Sequence, residues 1–276
     1  MPRIRMVLEY EGTNYAGWQR QHNARTVQQA VEEALFSVTG ERIAVYASGR
    51  TDSAVHALGQ VAHFDTEARM SPEKFAFALN THLPPDVRVL DTQRVRDGFH
   101  ARYDAKGKLY RYGIHNAPHA SAIHRNTRLH VHRPLDVAAM REAARLVIGT
   151  HDFAAFQAAG AARKTTVRTV TRSEVLKDGA LVSYEIAGSG FLYNMVRIIA
   201  GTLIEVGLGR RPPDTVSAAL AGRKRTLAGP TAPAHGLTLV RVFYDALTGE
   251  NLDQPLDDGN RILYNKSRVV PDTGPG

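Results

Sequence analysis

Apolar positions along this chain switch period several times, and each switch marks an element. From Arg3 to Tyr10 the pattern reads as a strand. Val27, Ala30, Val31, Ala34, Leu35 and Val38 then recur at helical spacing. Thr26-Val27-Gln28-Gln29 is a capping-box pattern, with Thr26 as N-cap and Gln29 expected to reach back. Ile43 to Tyr46 and Gln60 to Phe64 read as strands joined by a polar turn. Ser71-Pro72 opens a second helix, with Ser as cap and Pro in the first turn. Pro84-Pro85 ends it, and Val87 to Val95 is a strand.

The order then repeats. Lys108 to His115 is a strand with aromatic content, and Asp136 caps a helix through Met140, Ala144 and Val147 that Gly149 stops. Val167 to Leu176 and Leu181 to Ala187 form a hairpin across Lys177-Asp178-Gly179-Ala180, whose Asp-Gly pair favours the turn. A long helix spans about Phe191 to Val206, a shorter one follows Pro212-Pro213 with Asp214 in its first turn, and Leu237 to Tyr244 closes as a strand. Each half interleaves strands with two helices, which suits a ferredoxin-like, split βαβ arrangement. Two such halves side by side make an α+β fold: one mostly antiparallel sheet with helices on one face and a central cleft. The halves are expected at 1–105 and 106–245, with 246–276 a polar, Gly-, Asp- and Pro-rich tail expected to be loosely ordered.

Charge sharpens this picture. The net charge is +8, and 28 of the 35 basic residues are Arg. Residues 1–105 carry 12 basic and 13 acidic groups, whereas 106–276 carry 23 and 14. An Arg-rich second half suits a polyanionic partner, because the guanidinium fork grips phosphate in two bonds. A solvated basic surface is the plainer explanation, and charge alone does not choose. Zero cysteines exclude disulfides and thiolate metal sites and fit a reducing cytoplasm. No apolar run is long enough to span a bilayer, and the first residues lack a signal-peptide core, so a cytoplasmic protein without membrane contact is expected.

The candidate chemistry lies in Ala47-Ser48-Gly49-Arg50-Thr51-Asp52-Ser53-Ala54-Val55-His56-Ala57. One Arg and one Asp project from a loop held between rigid elements, where reactive groups tend to sit. A turn in which Asp52 bonds its own backbone is the plainer explanation. His151-Asp152 has the wording of a metal phosphohydrolase pair, but the spaced partner ligands are missing, and the twelve His show no H-E-x-x-H spacing. Arg210-Arg211 and Arg223-Lys224-Arg225 serve either as helix C-capping charges or as phosphate contacts.

The 47–57 run closely resembles the GRTD-x-G-V-H-A signature of the TruA family of tRNA pseudouridine synthases. Glu9 to Gln21 is similar to that family's opening strand and turn, Phe99-His100-Ala101-Arg102 and Lys108-Leu109-Tyr110-Arg111-Tyr112 to its central segments, and Gly190 to Arg197 to its late helix. The matches run in family order from about residue 3 to about residue 244. One departure stands out: Ser53-Ala54 occupies the place of a small residue followed by Gly. If that Gly needs positive φ, Ala54 costs about 1 kcal/mol.

The resemblance implies isomerisation of uridine to pseudouridine in the tRNA anticodon arm, at positions 38 to 40 of standard tRNA numbering. The N1–C1′ bond breaks, and the uracil turns and rejoins the ribose through C5. It implies no metal and no cofactor, and a homodimer as the working form. It makes Asp52 the catalytic residue, as nucleophile or as base, and Arg197 its ion-pair partner. Tyr110 would stack on the uracil and help remove the C5 proton; strand alternation alone does not choose it over Tyr112. Arg50 would fill the space left by the flipped nucleotide and hold phosphate. Trp18 and Tyr15 are expected beneath the Asp52 loop, and His56 and His63 as shapers of loop and sheet. A catalytically idle RNA-binding protein on the same fold is the alternative, with a metal-dependent phosphohydrolase as a second rival.

Overall fold

The structure is a computed structural model that describes residues 1–160 and 165–247. Its centre is a ten-stranded sheet. The main path runs β4 (Val87–Val95), β1 (Arg3–Tyr10), β3 (His56–Asp65), β10 (Leu237–Phe243), β5 (Gly107–Asn116), β9 (Leu181–Gly188), β8 (Val167–Asp178) and β7 (Gly149–Asp152). Two short strands flank the path: β2 (Tyr46–Ala47) pairs with β3, and β6 (Leu129–Val131) with β5. Only β3–β10 and β5–β6 are parallel. The tail expected over 246–276 falls from residue 248 onward outside the described residues.

Five α-helices cover one face. Helices α1 (Val27–Thr39) and α2 (Lys74–Asn80) bury Val31, Leu35, Phe75 and Leu79 against Met6, Leu8, Phe64 and Val89 of the sheet. Helices α3 (Val137–Arg145), α4 (Met195–Gly207) and α5 (Thr215–Gly222) bury Met140, Ile199, Leu203 and Val216 with Tyr112, Val182, Tyr184 and Ile186. Tyr110, between Leu239 and Ile186 in the sheet, packs against both groups, so the helical layers lie on the same side. Between them lie β3, β10 and β5.

Local chemistry explains where elements begin. Thr26 caps α1 by accepting from the Gln29 amide at 3.3 Å, but the Gln29 side chain turns to Glu33 instead of reaching back. Asp136 caps α3 through the Ala139 amide at 3.0 Å. Several boundaries differ from expectation. Ile43 to Val45 are not strand; only Tyr46 and Ala47 pair with β3. The Ser71-Pro72 pair forms a turn, with α2 starting at Lys74. Gly149 does not end α3, which stops at Arg145; it opens β7 at φ +115°. Helix α4 begins at Met195 because Asn194 is left-handed, at φ 58°. No helix among the described residues is long and apolar enough to cross a membrane.

Candidate active site

The segment from Ser48 to Val55 joins β2 to β3 and carries Asp52. The turn after β1 supports it from below. Trp18 donates its amide to Thr51 O at 3.1 Å, and Tyr15 O accepts from the Ala54 amide and the Ser53 hydroxyl, both at 3.2 Å. Trp18 and Tyr15 are each 2% exposed, in the place expected of them. Gly17, at φ +89°, lies so close to Thr51 O that a Cβ would collide, so only glycine serves there. His56 fixes the far end: Nδ1 accepts from the Gly12 amide and Nε2 donates to His235 O, each at 2.9 Å. His63 accepts from the Ala101 amide at 3.2 Å, and burial lowers it to about 4, so it stays neutral.

Ala54 has φ 61°. The chain therefore keeps the left-handed turn without glycine, and the departure noted in the sequence is strain rather than a change of loop shape.

Asp52 is half-buried, and its carboxylate accepts no hydrogen bond among the described residues. The self-bonded turn residue is thus not what is seen; the turn is closed by backbone, Val55 N to Asp52 O at 3.2 Å. Arg197 Nη1 stands 3.8 Å from Asp52 Oδ2. Burial raises the Asp52 pKa above the usual carboxylate value, and the Arg197 charge offsets part of that.

Arg197 projects from the first turn of α4, between buried Met195, Val196, Ile198 and Ile199. Its Nε donates to Ala232 O at 2.8 Å, and Ala232 N donates back to Arg197 O at 3.1 Å. Its Nη1 donates to Asn194 Oδ1 at 2.8 Å. A buried guanidinium without partners would be costly; here two neutral oxygens hold it and leave its charge for the carboxylate.

Tyr110 packs where the two helical layers meet. Its ring meets Phe191 edge-on at 5.3 Å, and its hydroxyl makes no hydrogen bond among the described residues. Burial raises its pKa, with the Tyr10 and Asp52 charges adding to the effect. Tyr112 is different: it is fully buried and donates to Pro233 O at 2.9 Å. The two tyrosines that alternation could not separate are separated by their partners. Arg50 is exposed on the same loop and donates Nε to Gln19 at 3.1 Å.

The other sequence candidates lie apart from this site. His151 Nε2 bonds Ile148 O, and Asp152 accepts from Thr166 and the Ala154 amide beside Arg223. Arg210 pairs with Glu205, and Arg211 and Arg225 bond the carbonyls of Leu227 and Gly229 in the segment after α5. A cavity of ≈ 350 Å³ lined by Glu9, His56, Arg111 and Thr238 opens on the opposite face of the sheet, away from Asp52, Tyr110 and Arg197.

A half-buried carboxylate with no hydrogen bond, one cation at ion-pair range and a phenol beside it suit attack on, or deprotonation of, a sugar. Comparison with known proteins decides the family. The family model described as tRNA pseudouridine synthase matches residues 6–104 and 143–245. The chain belongs to the tRNA pseudouridine synthase family.

Named relatives agree. The chain is 51% identical to tRNA pseudouridine synthase A of Ruminiclostridium cellulolyticum over 245 residues, covering 88% of this chain and all of the relative. It is 49% identical to the protein of that name from Acetivibrio thermocellus, again over 88% of this chain and all of the relative. It is also 49% identical to the one from Syntrophotalea carbinolica, over 88% and 97%. This synthase is an isomerase acting on uridine in tRNA. Its site also contains residues the sequence reading passed over: Asn194 and Ala232 on Arg197, and Gln60 and Lys108 beneath the loop. An Asn ahead of an apolar helical run was the available signal for the first. A lone amide inside an apolar strand was the signal for Gln60.

Proposed function

We propose that Asp52 is the catalytic carboxylate of this synthase and that its targets are the uridines at positions 38 to 40 of the tRNA anticodon arm. The single observation that carries the assignment is the Asp52 carboxylate, free of hydrogen bonds and 3.8 Å from Arg197. Arg197 favours the ionised form against the effect of burial. Whether as nucleophile at the ribose or as base on it, the carboxylate then lets the N1–C1′ bond break. Tyr110 stacks on the detached uracil and assists loss of the C5 proton after C5 has joined the ribose. Arg50, exposed on the same loop, occupies the space of the flipped nucleotide and bonds phosphate.

In this reading residues 1–105 supply the carboxylate, and residues 106–245 supply Tyr110, Arg197 and the basic surface for the tRNA. Recognition rests on tRNA shape and phosphate contacts more than on base sequence. The working form is a homodimer in the cytoplasm, and the reaction uses no metal or other cofactor.

The experiment compares wild type with Asp52→Ala on tRNA transcripts carrying uridine tritiated at C5, with EDTA present. Release by wild type alone supports the assignment. Release restricted to wild type but arising outside positions 38 to 40 keeps Asp52 and overturns the target. Tight tRNA binding without release by wild type would favour the idle RNA-binder, and release abolished by EDTA would favour metal chemistry.

A further inference from the structure

We propose that Gln60 is a positioning residue for the synthase reaction, setting the geometry of the Asp52 loop from within the sheet. The inference rests on the assignment of Asp52 as the catalytic carboxylate.

Gln60 lies on β3 beside Val61, Ala62 and Phe64 and has no exposed surface. A primary amide in such surroundings is costly unless its donors and acceptor are used. They are used, and two of the four bonds go to the segment that leads into Asp52. Nε2 donates to Gly49 O at 2.9 Å and to the Tyr10 hydroxyl at 3.4 Å. Oε1 accepts from Ser48 Oγ at 2.8 Å and from its own neighbour's amide, Val61 N, at 3.2 Å. The Tyr10 hydroxyl in turn meets Thr51 Oγ1 at 2.8 Å. One side chain thus holds Ser48 and Gly49 directly and Thr51 through a single intermediary. These are three of the four residues just before Asp52.

Two further bonds close the same corner. Ser48 N donates to Val61 O at 2.7 Å, and Lys108 Nζ on β5 donates to Ser48 O at 3.0 Å. The loop is therefore fastened to β1, β3 and β5 at once, with Gln60 at the junction.

This matters because Asp52 has no fastening of its own. Its carboxylate takes no hydrogen bond among the described residues, so its place opposite Arg197 is inherited from the backbone that carries it. A loop displaced by about 1 Å costs roughly 100-fold in rate when the displaced group does chemistry. An amide that merely satisfied the core would need partners, but those partners would have no reason to gather on the catalytic loop.

The test is Gln60→Met, which keeps length and apolar volume and removes every side-chain hydrogen bond. Tritium release, tRNA affinity and thermal unfolding are measured together. The expected result is a folded protein with kcat down about 100-fold, and with KM and tRNA affinity unchanged. A folded Gln60→Met with wild-type kcat overturns the proposal, as does a loss of rate no larger than the loss of folded protein. Should Gln60→Met fail to fold, Ser48→Ala decides. It removes the Ser48 Oγ bond to Gln60 Oε1 and leaves the amide in place, and wild-type kcat there overturns the proposal. Asp52→Asn is run in parallel. Release by Asp52→Asn would sink the Asp52 assignment itself. A silent Asp52→Asn beside a fully active Gln60→Met sinks only the role of Gln60.

Discussion

Asn194 holds Arg197 more closely than Asp52 does. Its carboxamide oxygen accepts from Arg197 Nη1 at 2.8 Å, whereas the Asp52 carboxylate stands at 3.8 Å. Asn194 occupies the N-cap position of α4 without its side chain bonding the helix amides, and its backbone is left-handed. Its side chain is committed to the arginine instead of the helix. The guanidinium is thereby aimed before any substrate arrives, an arrangement that suits electrostatic preorganisation.

Asn194→Gly isolates that contribution, since glycine tolerates φ 58° and lacks only the carboxamide. A hydrogen bond to a charged group contributes about 1.5–3 kcal/mol, so kcat is expected to fall about 10- to 100-fold. KM for tRNA should stay near wild type. Steady-state tritium release checks this, and an unchanged kcat would remove Asn194 from the site.

Ala54→Gly should relieve the strain at φ 61°. The expected gain is about 1 kcal/mol, or roughly 2–4 °C in the thermal midpoint for a chain of this size. Activity should be retained, because the loop already has the shape glycine prefers. A lower midpoint in calorimetry would show that Ala54 contributes packing that outweighs its backbone cost.

The raised pKa of Asp52 has two consequences of opposite sign. With the carboxylate as the proposed reactive form, the acid limb of kcat/KM should lie above the ordinary carboxylate range, and Arg197→Met should move it higher still. For stability, the fold binds the Asp52 proton more tightly than the unfolded chain does. Stability from this group is therefore present below the unfolded pKa and lost as pH rises through the folded one. Asp52→Asn should be more stable than wild type at neutral pH, with the difference vanishing in acid. Paired unfolding curves and pH–rate profiles would reveal either sign being wrong.

Lys108 works in the other direction. Burial, with repulsion from Arg102, lowers its pKa to about 8. Between that value and the unfolded pKa of about 10.4, the unfolded chain binds more protons than the folded one. Stability should rise with pH across that window. Lys108→Met should flatten the rise, and denaturant midpoints measured from pH 7 to 10.5 decide it.

Local pattern made much of the fold legible. Strands β1 and β4 lie where alternation and flanking turns put them, and Asp136 caps α3 as its position before an apolar run suggests. Where the reading failed, non-local forces set the outcome. Strands β6 and β7 are only three and four residues, too short to show a period, and their extended form comes from pairing with β5 and β8. Apolar spacing alone extends α4 back to Phe191, but the left-handed Asn194 breaks it. At the site, the motif wording pointed to Asp52, Arg50, Tyr110 and Arg197. The supports, Asn194, Ala232, Gln60 and Lys108, belong to no shared local pattern, since they meet only when β1, β3, β5 and α4 are assembled.

The parallel contact of β3 with β10 bears on how the protein is made. Thr238 and Leu239 pair with His56 and Ala57, and His56 also reaches His235 O, so the downstream anchor of the Asp52 loop arrives about 180 residues later in the chain. Contacts of such sequence separation form slowly, because a large loop must close before they reward the chain. During synthesis the motif from Gly49 to Asp52 leaves the ribosome long before its anchor exists. A nascent chain interrupted before residue 235 would carry the whole signature but lack the His235 and β10 contacts that close its downstream end.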